Sequence, residues 1–189
     1  MEFLTAGIVW FVENPNEVWL PRLITQLDDG GRLAFANYIG QFLSYMKVDE
    51  RIRAWDSWLK EYWVRRKASV PAKLTNSEIN AMLHWLVSLD ERFPEGVNIA
   101  IEILCERLEK DSLVHELGGS GFIERFPSDV ARLVTYMLRC DADQFYLIQI
   151  QEKILEPLGK QEIEDDIFQE LNQALIASGR EPLVPANQD

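Results

Sequence analysis

Apolar residues recur along this 189-residue chain with a period near 3.6, and that spacing restricts it to packed helices. Val97, Ala100, Ile101, Leu104 and Leu108 share one helical face, as do Val130, Leu133, Val134, Met137 and Leu138. Leu147, Ile150, Ile154 and Leu158 form another, and Ile163, Ile167, Leu171, Ala174 and Leu175 a fourth. No long run alternates as a half-buried strand does. LIQIQ at 147–151 alternates briefly, but the helical pattern covers more residues.

Punctuation places the elements. Thr75 with Glu78 is a capping-box pattern ahead of an apolar run. Asp28-Asp29-Gly30-Gly31 closes one helix and precedes another, Leu117-Gly118-Gly119-Ser120-Gly121 is a break, and Gly159 and Gly179 end helices. These signals predict helices near 3–13, 16–28, 32–46, 49–67, 77–90, 95–109, 128–140, 144–156 and 161–178, with a short helical turn at 111–117. The expected fold is all-α: a single-domain, HEAT-like array of about nine helices stacked in helical hairpins over residues 1–180. A frayed, Pro-containing tail is expected at 181–189.

Four letters repeat at an offset of 33 residues, in ERFPEGV (91–97) and ERFPSDV (124–130). Pro94 and Pro127 suit the first turn of a helix, where no N–H is needed. Each Pro is expected to push the preceding Phe93 or Phe126 out of helical geometry, so that its ring folds beside the helix start. The apolar face recurs in phase: Val97 with Val130, Ile101 with Val134, Leu104 with Met137. One loop–helix joint used twice explains this better than a paired Arg92/Arg125 anion site.

Composition bounds the function. The hydrophobic fraction, 47%, is that of a folded chain, and two cysteines, Cys105 and Cys140, fit a reducing, cytoplasmic interior rather than a disulfide framework. Phe3 to Val12 resembles a signal core, but Glu2 stands where a basic segment belongs and no small-x-small cleavage site follows. The run is also about half the ~20 residues of a membrane span, so a buried helix is expected and no membrane association. A chain opening on apolar structure reads as readily as a piece of a longer protein as a whole one. Net charge is −12, unevenly spread: −4 over residues 1–50, +5 over 51–75 and −13 over 76–189. The acidic balance argues against a general nucleic-acid binder.

The basic island coincides with RAWDSWLKEYWVRRK, residues 53–67. At 100° per residue Ile52, Trp55, Leu59, Tyr62 and Trp63 share one face, with Trp58 at its edge. Arg53, Lys60 and Lys67 form a stripe about 21 Å long at 1.5 Å per residue. Two readings compete: cations on phosphates with rings stacked on bases, or an aromatic core helix with a solvated basic back. Asp56 lies between Arg53 and Lys60 at helical spacing and partly neutralises the stripe. The candidate contacts for a partner or a nucleic acid are Arg53, Lys60, Arg66 and Lys67.

Other chemistry is poorly supported. His84, His115, Cys105 and Cys140 are enough ligands for zinc, but no two lie within five residues. EIEDDIFQE, 162–170, reads as the solvated face of the last helix, because it lacks the Gly and ligand order of a calcium loop. Gly30-Gly31 and Gly118-Gly119 lack the pattern of a phosphate loop, and two poorly placed histidines do not complete a Ser-His-Asp set. No catalytic residue, cofactor or metal is therefore expected.

The run from Arg53 to Val97 resembles an uncharacterised helical domain at the C-terminal end of bacterial sirtuin-like anti-phage defence proteins. The similar residues are Trp55, Trp58-Leu59, Tyr62-Trp63 and Arg66, then Pro71, Leu74, Glu78, Met82-Leu83, Trp85-Leu86, Phe93-Pro94-Glu95 and Val97. The resemblance implies that NAD-consuming chemistry belongs to the sirtuin-like domain, of which nothing is present. This chain would be a scaffold, an oligomerisation element or a sensor of phage protein. The expected function is thus a non-catalytic protein–protein recognition or assembly module. The alternative is a nucleic-acid-binding module using residues 51–73.

Overall fold

A computed structural model describes residues 26–68, 75–103, 111–139 and 150–184. Among them the fold is all-α, with no strand. The expected helix at 3–13 and most of that at 16–28 lie outside the described residues. The chain divides into two compact units between Ile99 and Ala100.

The first unit is built on α1 (Asp29–Tyr45). Asp28 caps it by accepting from Gly31 N–H at 2.7 Å. After α1 comes α2, a continuous rod of three stretches: α-helical Val48–Ala54, π-helical Trp55–Leu59 and α-helical Lys60–Ala68. The π-turn is closed by the Lys60 N–H donating to the Trp55 carbonyl. An i→i+5 turn adds a residue and shifts the phase of everything beyond it. That shift accounts for Trp58, expected at the edge of the apolar face: it is buried with Trp55, Leu59, Tyr62 and Trp63.

Next, α3 (Asn76–Leu83) packs on α1. The expected helix at 77–90 ends early, and 3-10 turns follow at Leu86–Ser88 and Asp90–Arg92. The ladder tightens to i→i+3, with Trp85 N–H bonded to Met82, Ser88 to Trp85 and Leu89 to Leu86. The tighter winding buries Met82, Trp85, Leu86 and Leu89 together. Trp85 is seated against Gly40 of α1, and its Nε1 donates to the Ala36 carbonyl at 3.0 Å.

Helix α4 (Phe93–Ile103) starts without a break. Phe93 keeps helical angles, φ −52 and ψ −47, against the expectation that Pro94 would expel it. It is the cap of the preceding 3-10 turn, and its buried ring is held in the core, so tertiary packing overrides the local bias. A Cβ on Gly96 would lie 2.5 Å from Leu89 Cδ1 and 2.8 Å from Leu86 Cδ2, so the 3-10 segment rests on this glycine. The core of this unit is aromatic. Phe35 lies 5.4 Å from Tyr62, Tyr62 5.7 Å from Trp85, Trp85 5.9 Å from Trp63, and Trp63 6.1 Å from Trp55, edge-on.

The second unit contains α5 (Asp111–Gly119), α6 (Phe122–Arg125), α7 (Pro127–Arg139), α8 and α9 (Asp165–Ala177). Helix α8 joins a π-turn at Gln151–Leu155 to Glu156–Leu158. The expected turn at 111–117 is a longer helix that runs through Gly118 and Gly119. The break comes at Gly121, whose φ of 71 is left-handed. Phe126 leaves helical geometry at φ −139, as Pro127 demands, so the two ERFP copies begin their helices differently.

Helices α7 and α9 form the main contact of this unit and run parallel: Ser128 Oγ accepts from the Glu164 N–H at their starts, and Arg139 at the end of α7 reaches Glu170 in the middle of α9. Gly118 of α5 lets that helix approach the Lys153 carbonyl of the α8 π-turn; a Cβ there would stand 3.0 Å away. Of the tail expected at 181–189, the structure describes residues up to 184. Leu183 N–H donates to Asn172 Oδ1 at 2.8 Å, and Asn172 Nδ2 donates to the Leu183 carbonyl at 3.2 Å. The side-chain amide thus holds the segment as a neighbouring strand would.

Candidate functional site

Helix α2 presents two chemically different faces. Outward, Arg53, Lys60 and Val64 follow one another at helical spacing and are 73%, 52% and 46% exposed. Around them is a network of carboxylates. Lys60 Nζ donates to Glu95 Oε2 at 2.8 Å, and Trp55 Nε1 donates to the same oxygen at 3.3 Å. Arg92 grips Asp56 through Nε at 2.9 Å and an NH2 at 2.7 Å, and lies 3.7 Å from Glu95. Arg53 leans on Asp49 at 3.9 Å. The hydrogen bond from Lys60 holds the Glu95 carboxyl below the usual range. The hydrogen bonds that Arg92 donates to Asp56 raise its guanidinium above its ordinary value.

These contacts revise the basic stripe. Asp56, expected to offset Arg53 and Lys60, serves Arg92 instead, 36 residues away. Lys60 is neutralised by Glu95 from the first turn of α4. Of the candidate contacts, Arg53 and Lys60 are on the surface. Arg66 is not: it is wholly buried and turned inward, which corrects its assignment as a partner contact. The side chain of Lys67 lies outside the described residues.

The inward face carries a buried ionic node. Arg66 Nε and NH2 donate to the two oxygens of Glu78 at 2.6 and 2.7 Å, both side chains being fully buried. Tyr62 Oη approaches Glu78 Oε1 at 3.4 Å, and Arg32 Nε of α1 lies 3.7 Å from Glu78 Oε2. Arg32 also bonds Asp29 and the Leu27 carbonyl. Thr75 supplies its half of the expected cap, accepting from Glu78 N–H at 3.2 Å, while the Glu78 carboxylate is committed to the core. Burial opposes the charge of Arg66, but the Glu78 bonds outweigh it and leave the guanidinium above its ordinary value. Burial likewise pushes the Tyr62 hydroxyl well above the phenol range.

Arg92 and Arg125 belong to separate units; Arg125 stacks over Phe126 and Phe122, 5.0 and 5.6 Å from the ring centroids. Cys105 and Cys140 lie outside the described residues. His115 Nδ1 accepts from Lys153 Nζ at 2.8 Å. Among the described residues no three His, Cys, Asp or Glu side chains are grouped to hold a metal. The acids of 162–170 are exposed, with Ile163 and Ile167 half-buried between them. An open groove of about 530 Å³ runs between the ends of α7 and α9, with Arg139, Gln173 and Ser178 as its polar rim. Among the described residues no helix is long and apolar enough to cross a membrane.

The arrangement defines an all-helical module with an aromatic, ion-pinned core and a charge-matched surface on α2. The chain belongs to the family described as Domain of unknown function (DUF4020), whose model matches residues 8–175. No curated protein and no solved structure matches it.

Proposed function

We propose that this chain is a non-catalytic protein–protein recognition or assembly module, with the outer face of α2 as its docking surface. One observation carries the reading: among the described residues, three surface cations of this face have carboxylate partners, Lys60 with Glu95, Arg92 with Asp56 and Arg53 with Asp49. A mixed-charge face with an exposed Val64 one turn beyond Lys60 suits a protein partner of matching charge pattern. A phosphate-binding face requires an excess of free cations.

The finer reading places the helices in a HEAT-like array in the cytoplasm, as the sensor or scaffold part of a sirtuin-like, NAD-depleting anti-phage system. It is supported by the resemblance of Arg53–Val97 and by the burial of most of the residues that carry it: Trp55, Trp58, Tyr62, Trp63, Arg66, Glu78, Trp85 and Phe93 are all core. The test is phage challenge of bacteria carrying the native gene, with cellular NAD followed after infection. The wild type is expected to lose NAD and survive as a population, and R53E/K60E to do neither. Unchanged NAD and no protection in the wild type would remove the defence reading. The recognition reading is tested separately by amine cross-linking from Lys60, where products confined to residues within a single copy of the chain would contradict it.

A further inference from the structure

Lys153, in the π-turn of α8, is held along α5 at two points. Its main-chain carbonyl and its Cβ lie against Gly118, where an added Cβ would stand 3.0 and 3.1 Å from them. Its Nζ lies 2.8 Å from Nδ1 of His115, three positions earlier on the same face of α5. An ammonium has no lone pair to offer, so the ring nitrogen is the acceptor and its own lone pair faces the amine. His115 is exposed and Lys153 half-buried, so a small molecule reaches the pair. Among the described residues neither side chain has a carboxylate partner.

Two other lysines give the contrast. Lys60 is paired with the Glu95 carboxylate, and the Lys160 side chain is exposed with no partner among the described residues. An amine acts as a nucleophile only after shedding a proton. A carboxylate beside it stabilises the ammonium and takes up a proton only in acid, whereas an imidazole takes one near neutrality. The separation of 2.8 Å falls within the reach of about 2.6–3.2 Å that a general base needs.

We propose that Lys153 is an acyl-acceptor lysine, with His115 as its general base and an acyl thioester as its class of donor. The unprotonated Nζ attacks the thioester carbonyl. The C–N bond forms and the C–S bond breaks, while His115 Nδ1 takes the proton from the nitrogen and returns it to the departing thiolate. An amide and a free thiol result, and nothing is oxidised or reduced. The inference concerns the second unit and does not depend on the docking role of α2.

The test exposes the full chain to S-acetyl-N-acetylcysteamine, a neutral thioester, and follows acetylation of each lysine by peptide mass spectrometry at early times. Lys153 is expected to react about tenfold faster than Lys160, below the ~100-fold of a fully built active site, and Lys60 slowest of the three. In H115Q the side chain still offers Lys153 an acceptor but cannot take up its proton. Lys153 is then expected to fall to the rate of Lys160, with Lys60 and Lys160 unchanged as controls for an intact fold. Equal rates for Lys153 and Lys160 in the native chain would overturn the proposal, and this comparison needs no variant. So would a Lys153 rate unaltered by H115Q, since the imidazole would then not be the base.

Discussion

Arg66 of α2 grips Glu78 of α3 through two hydrogen bonds of 2.6 and 2.7 Å, and neither side chain reaches solvent. Removing one member of such a pair leaves the other charge buried and uncompensated. E78A or E78Q leaves two guanidiniums, Arg66 and Arg32, without their shared carboxylate. The expected loss is about 3–5 kcal/mol, read from urea unfolding followed by tryptophan fluorescence. A loss within 0.5 kcal/mol, the range of ordinary surface changes, would refute the node's integrity.

Two buried indoles differ in one respect. Trp85 Nε1 has an acceptor, the Ala36 carbonyl at 3.0 Å, whereas Trp63 Nε1 has none among the described residues. Each loses similar volume on substitution by Phe. W85F is therefore expected to cost about 1 kcal/mol more than W63F, the net worth of one hydrogen bond. Equal losses in parallel unfolding experiments would contradict the assigned contacts.

Gly96 is a contact point rather than a flexible joint. Alanine is the better helix former by about 1 kcal/mol, so an open site would gain stability. Here the added methyl meets Leu89 and Leu86, both fully buried, and they have to move. Overpacking of this kind costs about 1–3 kcal/mol. G96A is expected to destabilise the first unit overall, and a raised thermal midpoint would show that the 3-10 segment does not rest on α4.

Much of the fold was legible in the sequence because its faces are strict. Val130, Leu133, Val134, Met137 and Leu138 predict helix 128–140, and α7 occupies Pro127–Arg139 with all five residues buried. The 49–67 helix is likewise found as α2, but its π-turn has no compositional signal, so a uniform helical wheel puts Trp58 at the edge. The pattern at 77–90 reads as one helix because periods of 3 and 3.6 are indistinguishable over one or two turns. The site was less legible. Asp56–Arg92 and Lys60–Glu95 join residues 36 and 35 apart, and no local pattern announces such pairs. Arg66 looked like part of a basic run, although it lies one turn beyond Tyr62 on the apolar face. That position was the available clue to its burial.

Asn172 is the anchor of the segment after α9. N172A removes both hydrogen bonds to Leu183, each worth about 1 kcal/mol net. Amide exchange at Leu183 is expected to speed about tenfold or more, while amides within α7 stay protected. Unchanged exchange at Leu183 would mean that the segment is held by other contacts.

Acid acts on the α2 surface with a definite sign. The folded Glu95 carboxyl lies below its unfolded value, so its contribution is present above the unfolded carboxylate range and is lost as pH falls through the folded value. The pair with Lys60 is partly exposed, so about 0.2–1 kcal/mol is expected. E95Q should remove that part of the acid sensitivity. Asp129 behaves oppositely: burial raises its carboxyl, so acidification through its folded value adds stability to the second unit. Unfolding midpoints of E95Q and D129N from pH 7 to pH 3 distinguish the two.

The measurement that bears most directly on the central claim is a fluorescence-anisotropy titration of the chain against labelled single- and double-stranded oligonucleotides at 50 and 200 mM salt. The paired cations of α2 predict no saturable binding at either salt, and no difference between the native chain and R53A/K60A. Binding that falls steeply with salt and disappears in R53A/K60A would make α2 a phosphate-binding face and contradict the account.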